Sequence, residues 1–388
     1  MKDAARARVD EGRDDLIDLS HRIHAHPELK FEEERAAAWI AEALADAGFT
    51  VEAGVCDLPT AFRARAGSGP LRLAICAEYD CLPGIGHACG HNMIAAMAVG
   101  AAVGLAEVAD DVGIQIIVLG TPAEEGGGGK ILMLERGAFE GVHAAMMVHP
   151  SSREAVEPSM IAAAQFKVRY TGKEAHASAF PELGINAADA LVVAQTAIGL
   201  LRQQMRAHDR VHGIVTRGGD APNVIPAHTE AHYMVRALHL AELPTVQERV
   251  LKCFEAGATA TGAAIEVEEM HKPYAEMRHD PDIAVIYKRN AEAVGRSFAD
   301  LGDPGPRPSA STDMGNVSLV IPSIHPLIGI DSLPAVNHQP EFAAHCVSAV
   351  ADKAVIDGAT AMAWTAIDIA AAEALRKRLT HEPAADLS

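Results

Sequence analysis

Residues 114–119 read Ile-Gln-Ile-Ile-Val-Leu, and residues 71–77 read Leu-Arg-Leu-Ala-Ile-Cys-Ala. Each is a short, nearly unbroken apolar run, the pattern of a strand buried on both faces of a parallel sheet. Between them, residues 92–108 (NMIAAMAVGAAVGLAEV) are apolar at helical length. Upstream, residues 5–25 and 34–47 (ERAAAWIAEALADA) have the spacing of amphipathic helices. Residues 144–148 (AAMMV) read as a further strand that ends at His149. This alternation predicts an α/β domain whose mostly parallel sheet is covered by helices.

From about residue 160 the texture changes. Residues 161–171 (IAAAQFKVRYT) alternate like a half-exposed strand, and 184–205 read as a long helix. Strand patterns follow near 211–217 and 228–237, then a helix near 241–260 and a strand near 263–269. The order β-α-β-β-α-β predicts a ferredoxin-like α+β unit. The expected organisation is therefore a first domain begun by residues 1–159, an insertion over 160–271, and a return to the first domain over 272–388.

A length of 388 residues suits two domains, and 49% hydrophobic residues suffice for both cores. Lys plus Arg number 33 against 52 Asp plus Glu, a formal charge of -19. That balance argues against nucleic acid and anionic membranes as partners, since both need clustered cations. The N-terminus is charged throughout and has no apolar signal core. No apolar run approaches the roughly 18 residues of a spanning helix. Six scattered cysteines (56, 76, 81, 89, 253 and 346) read as free thiols in a reducing, cytoplasmic setting.

Three clusters fall at the ends of the expected strands. In His87-Ala-Cys89-Gly-His91-Asn92, an extended loop lets a thiolate and an imidazole converge on one zinc-like ion. The bland alternative is a buried thiol beside a capping histidine. In Thr121-Pro-Ala-Glu124-Glu125-Gly126, adjacent carboxylates leave the backbone in different directions. One can bind metal while its neighbour handles a proton; the alternative is a solvated acidic turn. Lys130 after the glycine run does not make a phosphate loop, because Glu124 and Ile131 break that pattern. His149-Pro150 is the third. A parallel sheet gathers such strand ends along one edge, where ligands bind in open α/β folds.

Beyond these clusters, further motifs occur in order. They are Arg22-Ile-His24-Ala-His26-Pro27-Glu28-Leu29, Phe31-Glu32-Glu33, Glu78-Tyr79-Asp80-Cys81-Leu82-Pro83, Gly172-Lys-Glu-Ala-His176, Asn223-Val-Ile-Pro226, Ser311-Thr-Asp313 and Asn337-His338. With them the chain resembles the M20 metallopeptidase/amidohydrolase family over nearly its whole length. The likeness is to the branch of that family with aminoacylases and p-aminobenzoyl-glutamate hydrolase. That resemblance implies two divalent ions per subunit, zinc or manganese with cobalt as an alternative, held by Cys89, His91, Glu125, His149 and His338. It implies Glu124 as general base and Asp80 as the acid that orients a metal-site histidine. It also implies that the inserted unit is a lid through which the chain forms a homodimer. In that unit His176 would contact the reacting carbonyl, and Asn223 and Arg236 the carboxylate of a small amide substrate.

The resemblance is not complete. The branch usually has Asp-Met-Asp where Glu78-Tyr79-Asp80 stand here, and often Asp at the position of Asn92. His325 lies thirteen residues before His338 and is the rival for the last ligand position. It is placed instead in the pocket wall or beside the substrate, because Pro340 begins a helix just after His338. His24 and His26 read as structural, Cys56, Cys76, Cys253 and Cys346 as small core residues, and Glu32 to Glu34 as a solvated helix start. Arg236 has pairing on a strand surface as its alternative. For function, a dipeptidase stands beside an aminoacylase or deacetylase, a metal-dependent binding protein and a redox reading of Cys81 and Cys89. A pure binder has no need of Glu124 as a base, and the spacing of the two cysteines is not that of a redox pair.

Overall fold

The structure of the chain, a computed structural model, describes residues 1–298 and 310–381. They divide into two compact units. Residues 1–159, 277–298 and 313–381 form the first, and residues 160–276 with 310–312 form the second.

The first unit is built on a six-stranded sheet in the order Thr50–Ala53, Phe62–Ala66, Ile114–Gly120, Leu71–Ala77, Ala144–Met146, Ser323–Ile324. From Ile114–Gly120 onward the neighbours are parallel, and the first two strands add an antiparallel edge. The expected apolar strands are buried at nearly every position. Helix His91–Ala106 is also buried except at Val103 and Ala106, so its sequence is apolar all round. Helix Ala349–Ala371 packs against it. By length and composition alone that second helix could cross a membrane, but 83% of its most apolar window is buried inside the protein.

Two expectations are corrected. The single helix over 5–25 is two helices, Lys2–Glu11 and Arg13–Ala25, broken at Gly12. Glycine is a poor helix former, and each piece buries its own stripe, Ala5 and Val9 in one, Leu16, Leu19 and Ile23 in the other. The strand begun at Ala144 stops at Met146. His149–Ser151 instead opens a separate parallel pair with Leu327–Gly329.

The second unit is a four-stranded antiparallel sheet in the order Ala264–Glu269, Ala162–Thr171, His228–Ala237, Arg210–Arg217. Helices Ala187–Leu201 and Leu243–Thr261 pack together and share its core. Alternating burial along Ala162–Thr171 turns Phe166, Val168 and Tyr170 inward, where Phe254 and Tyr233 meet them. This is the ferredoxin-like arrangement.

At Gly100, three helices of the first unit approach closely. A Cβ there would meet Leu16 Cδ1 at 2.8 Å and Ala359 Cβ at 2.9 Å. Gly100→Val should therefore overpack this junction by about 1–3 kcal/mol. The expected readout is a Tm lower by several degrees, and an unchanged Tm would contradict the packing argument.

Candidate functional site

Ala77 and Gly120 are paired in register, so the two central strands end level with one another. Thr121 pins the exits together: its N–H and its hydroxyl both donate to the Ala77 carbonyl, at 2.8 and 3.0 Å. One exit carries Glu78 and Asp80, and the other carries Glu124 and Glu125. Between them, Gly90 precedes helix His91–Ala106 with φ +81°. A Cβ on Gly90 would lie 2.4 Å from Pro150 Cγ, so glycine lets the Cys89–His91 turn sit against His149-Pro150.

The five expected ligand residues converge. Cys89, His91 and His149 place potential ligand atoms within 4.8 Å of one another, and so do Cys89, Glu125 and His338. Cys89 Sγ is 3.4 Å from His149 Nε2 and 3.6 Å from His338 Nε2, while His338 Nε2 is 3.4 Å from Glu125 Oε1. His91 Nε2 lies 3.9 Å from Glu124 Oε2. His325 takes another place: buried, its ring stacks on His149 with centroids 5.4 Å apart.

Asp80 organises both exits. Its Oδ1 accepts from His91 Nδ1 at 3.0 Å and its Oδ2 from the Glu125 N–H at 2.9 Å. The imidazole is thereby fixed with Nε2 facing the cluster. Burial pushes Glu124 well above the usual carboxylate range, helped by the nearby charges of Glu78 and Glu125. Burial acts the same way on Glu125, but His338 and His91 outweigh it and hold that group low. The pair is thus split into a proton holder and a charge holder. Burial pushes His149 down to about 4, keeping it neutral, and pushes the Cys89 thiol far up.

This donor set fits divalent ions. His91 Nε2 and Glu125 Oε1 are buried with no hydrogen bond of good geometry, facing only Glu78 and other members of the cluster at 3.3 Å or more, as expected of atoms that turn toward a cation. A neutral imidazole and a thiol that a cation would deprotonate match first-row metals.

Several buried residues of the site have roles that the sequence motifs did not assign. Glu78, Lys130 and Asp313 are fully buried, and Lys130 Nζ bridges the two carboxylates, 2.7 Å from Asp313 Oδ1. The lysine of the glycine run is therefore an internal counter-ion. Glu78 Oε2 lies 3.3 Å from His91 Nε2. Glu33, expected as part of a solvated helix start, is a correction. Glu32 and Glu34 are indeed exposed, but Glu33 is buried. Its Oε1 accepts from the Ala123 N–H at 2.8 Å and its Oε2 from the Thr60 hydroxyl at 3.0 Å. Three consecutive glutamates carry no sequence signal that singles out the middle one.

His176, Asn223 and Arg236 belong to the second unit. His176 is exposed, and its Nδ1 accepts the Ala179 N–H at 3.2 Å, which leaves Nε2 as the protonated donor. Asn223 is its neighbour, since its carbonyl accepts the Ala177 N–H. Arg236 donates to Ser311 Oγ at 2.7 Å and is half-buried.

The chain is similar to several known proteins. Residues 74–356 match the sequence profile of Peptidase family M20/M25/M40. The Xaa-Arg dipeptidase of Mus musculus is 40% identical over 385 residues, covering 95% of this chain and 89% of that protein. One chain of the p-aminobenzoyl-glutamate hydrolase of Escherichia coli (strain K12) is 33% identical over 279 residues, covering 66% of this chain and 58% of that protein. In fold, the chain resembles a dinuclear metal-binding M20 peptidase from Bacillus subtilis, with a TM-score of 0.69, 22% identity, and coverage of 94% and 99% of the two chains.

Two stability outcomes follow from the buried charges. Lys130→Met strands Glu78 and Asp313 without a counter-charge and should cost about 3–5 kcal/mol in chemical denaturation. A loss below about 1 kcal/mol would deny that the lysine neutralises them. Burial, with Asp80 nearby, raises Glu33 from 4.5 to about 7. The native state therefore binds this proton more tightly, so its contribution favours folding at low pH and fades as pH rises from about 4.5 to about 7. In metal-free protein, the Tm of Glu33→Gln relative to wild type should rise across that window; a flat difference would contradict the shift.

Proposed function

Since the chain belongs to peptidase family M20/M25/M40, we propose that it hydrolyses the amide bond of a dipeptide or N-acyl amino acid. One observation carries this reading: two ligand triads share the Cys89 thiol, with the Glu124 carboxylate beside them. We assign Cys89, His91 and His149 to one divalent ion and Cys89, Glu125 and His338 to the other. Zinc or manganese suits these donors, with cobalt as an alternative.

Bound there, divalent ions supply Lewis acidity, polarising a carbonyl and lowering the pKa of water from about 16 toward about 7. Glu124 accepts the proton lost by the attacking water and returns it to the leaving amine. Asp80 holds His91 and the Glu125 backbone in place throughout. His176 donates its Nε2–H to the developing oxyanion; one such donor is typically worth about 3 kcal/mol of barrier. Asn223 and Arg236 hold the substrate carboxylate, and His325, buried and stacked on His149, backs that ligand's ring.

For the amine side, relatives from Mus musculus and Homo sapiens, 40% and 37% identical and both named for Xaa-Arg cleavage, favour a dipeptide ending in arginine. The aminobenzoyl-glutamate relative keeps the N-acyl amino acid reading in play. A homodimer through the second unit is supported by strand Arg210–Arg217. It is a sheet edge and exposes Ile214 and Val215, ready to pair with a second copy. A cytoplasmic location is supported by six unpaired cysteines.

A panel of Ala-Arg, Ala-Lys, N-acetyl-arginine and p-aminobenzoyl-glutamate, assayed after chelation and readdition of zinc, manganese or cobalt, tests the reading. Activity should vanish with chelator and return with metal. Glu124→Gln should lower kcat by about 100- to 10,000-fold with metal retained. Near-wild-type turnover would remove it from the base role. His176→Ala mixed with Glu124→Gln should recover activity if His176 serves the other subunit, and none if it serves its own. Ile214→Lys should shift light scattering from dimer to monomer mass; an unaltered dimer would move the interface elsewhere.

A further inference from the structure

The turn that carries Glu124 is held by a segment the mechanism has not used. Ala123, just before Glu124, has φ +61°, a left-handed conformation that a residue with a Cβ rarely adopts unless its surroundings enforce it. Residues 28–33 run across this turn like a strap. At one end the strap is anchored twice: the Glu28 carboxylate caps helix Glu34–Asp46 by accepting from the Arg35 and Ala36 N–H groups, and the Glu28 carbonyl accepts the Cys81 N–H. From there Lys30 Nζ donates to the Gly126 carbonyl at 3.0 Å. Phe31, itself at φ +63°, lies so close to Gly127 that a Cβ there would meet its ring at 2.7 Å. Glu33 closes the strap on the Ala123 N–H.

The backbone on either side of Glu124 is therefore gripped by two buried carboxylates. Glu33 takes the N–H of Ala123, and Asp80 takes the N–H of Glu125. We propose that Glu33 is a positioning residue for the reaction, fixing the strained Ala123 peptide so that the Glu124 carboxylate points at the ligand cluster. The inference rests on Glu124 as the base. It assigns Glu33 no contact with substrate or metal. The hydrogen-bond acceptor is what matters, because the partner is a backbone N–H that an amide oxygen satisfies as well as a carboxylate.

The test uses the whole 388-residue chain, metal-loaded, and the panel substrate turned over fastest. It compares Glu33→Ala, Glu33→Asp, Glu33→Gln and Thr60→Val. Each is measured for kcat, KM, bound metal per chain, Tm and hydrogen exchange across residues 120–128. A displaced reacting group of about 1 Å typically costs on the order of 100-fold. Glu33→Ala and the shortened Glu33→Asp should thus lose about 10- to 100-fold in kcat, with KM and metal content near wild type and faster exchange in the turn. Glu33→Gln should recover most of that loss. Thr60→Val removes the other bond to Glu33 and serves as the stability control: Tm falls, while kcat and turn exchange do not follow.

Unchanged kcat in Glu33→Asp, or Glu33→Gln as slow as Glu33→Ala, would overturn the proposal. So would Thr60→Val losing kcat in step with its Tm. If Glu33→Ala does not fold, the Asp and Gln pair still decides. Failure of the base assignment itself would show separately, as residual activity in Glu124→Gln.

Discussion

One buried carboxylate holds the site together. Asp80 accepts from His91 Nδ1 with one oxygen and from the Glu125 backbone with the other. A single group thereby ties the start of helix His91–Ala106 to the turn after strand Ile114–Gly120. Its proton affinity is set by the same contact: burial would raise it, but the His91 imidazole pulls it below the ordinary range. A charged Asp80 keeps His91 oriented, and an oriented His91 keeps Asp80 charged. The level strand ends at Ala77 and Gly120 make that reciprocity geometrically possible.

The cost of this arrangement is a concentration of buried charge. Glu78, Asp80, Glu124 and Asp313 all lie within the fold, and Lys130 is the buried lysine set among them. Isolated charges in such a place would neutralise rather than persist. Lys130 offsets Glu78 and Asp313 directly, and its own affinity for a proton is raised by them. The remaining negative charge faces the ligand cluster, where divalent cations are the natural complement. The same surplus explains why burial and neighbours push Glu124 toward the protonated form in their absence.

Much of the fold was legible in sequence because it depends on apolar runs. Leu71–Ala77 and the segment from Ile114 are strands where the hydrophobic pattern placed them, and the order of elements in the second unit follows its alternation. What escaped were features decided by tertiary contact. Gly12 breaks a helix whose apolar periodicity runs on either side of it. Glu33 sits between two exposed glutamates, so a charge run conceals one inward-facing member. Lys130 lies in a glycine run that gives no hint of its two carboxylate partners, 52 and 183 residues away in sequence. His325 and His338 are near one another in the chain, and only folding separates a ring stacked on His149 from one beside Glu125.

The proposed chemistry depends on five side chains gathering two cations around one thiol. The most direct measurement is anomalous diffraction from crystals of the metal-loaded protein, collected on both sides of the metal absorption edge. Two peaks are expected per chain, one among Cys89, His91 and His149 and the other among Cys89, Glu125 and His338. A single peak, or peaks that leave Cys89 or His338 without a metal, would contradict it.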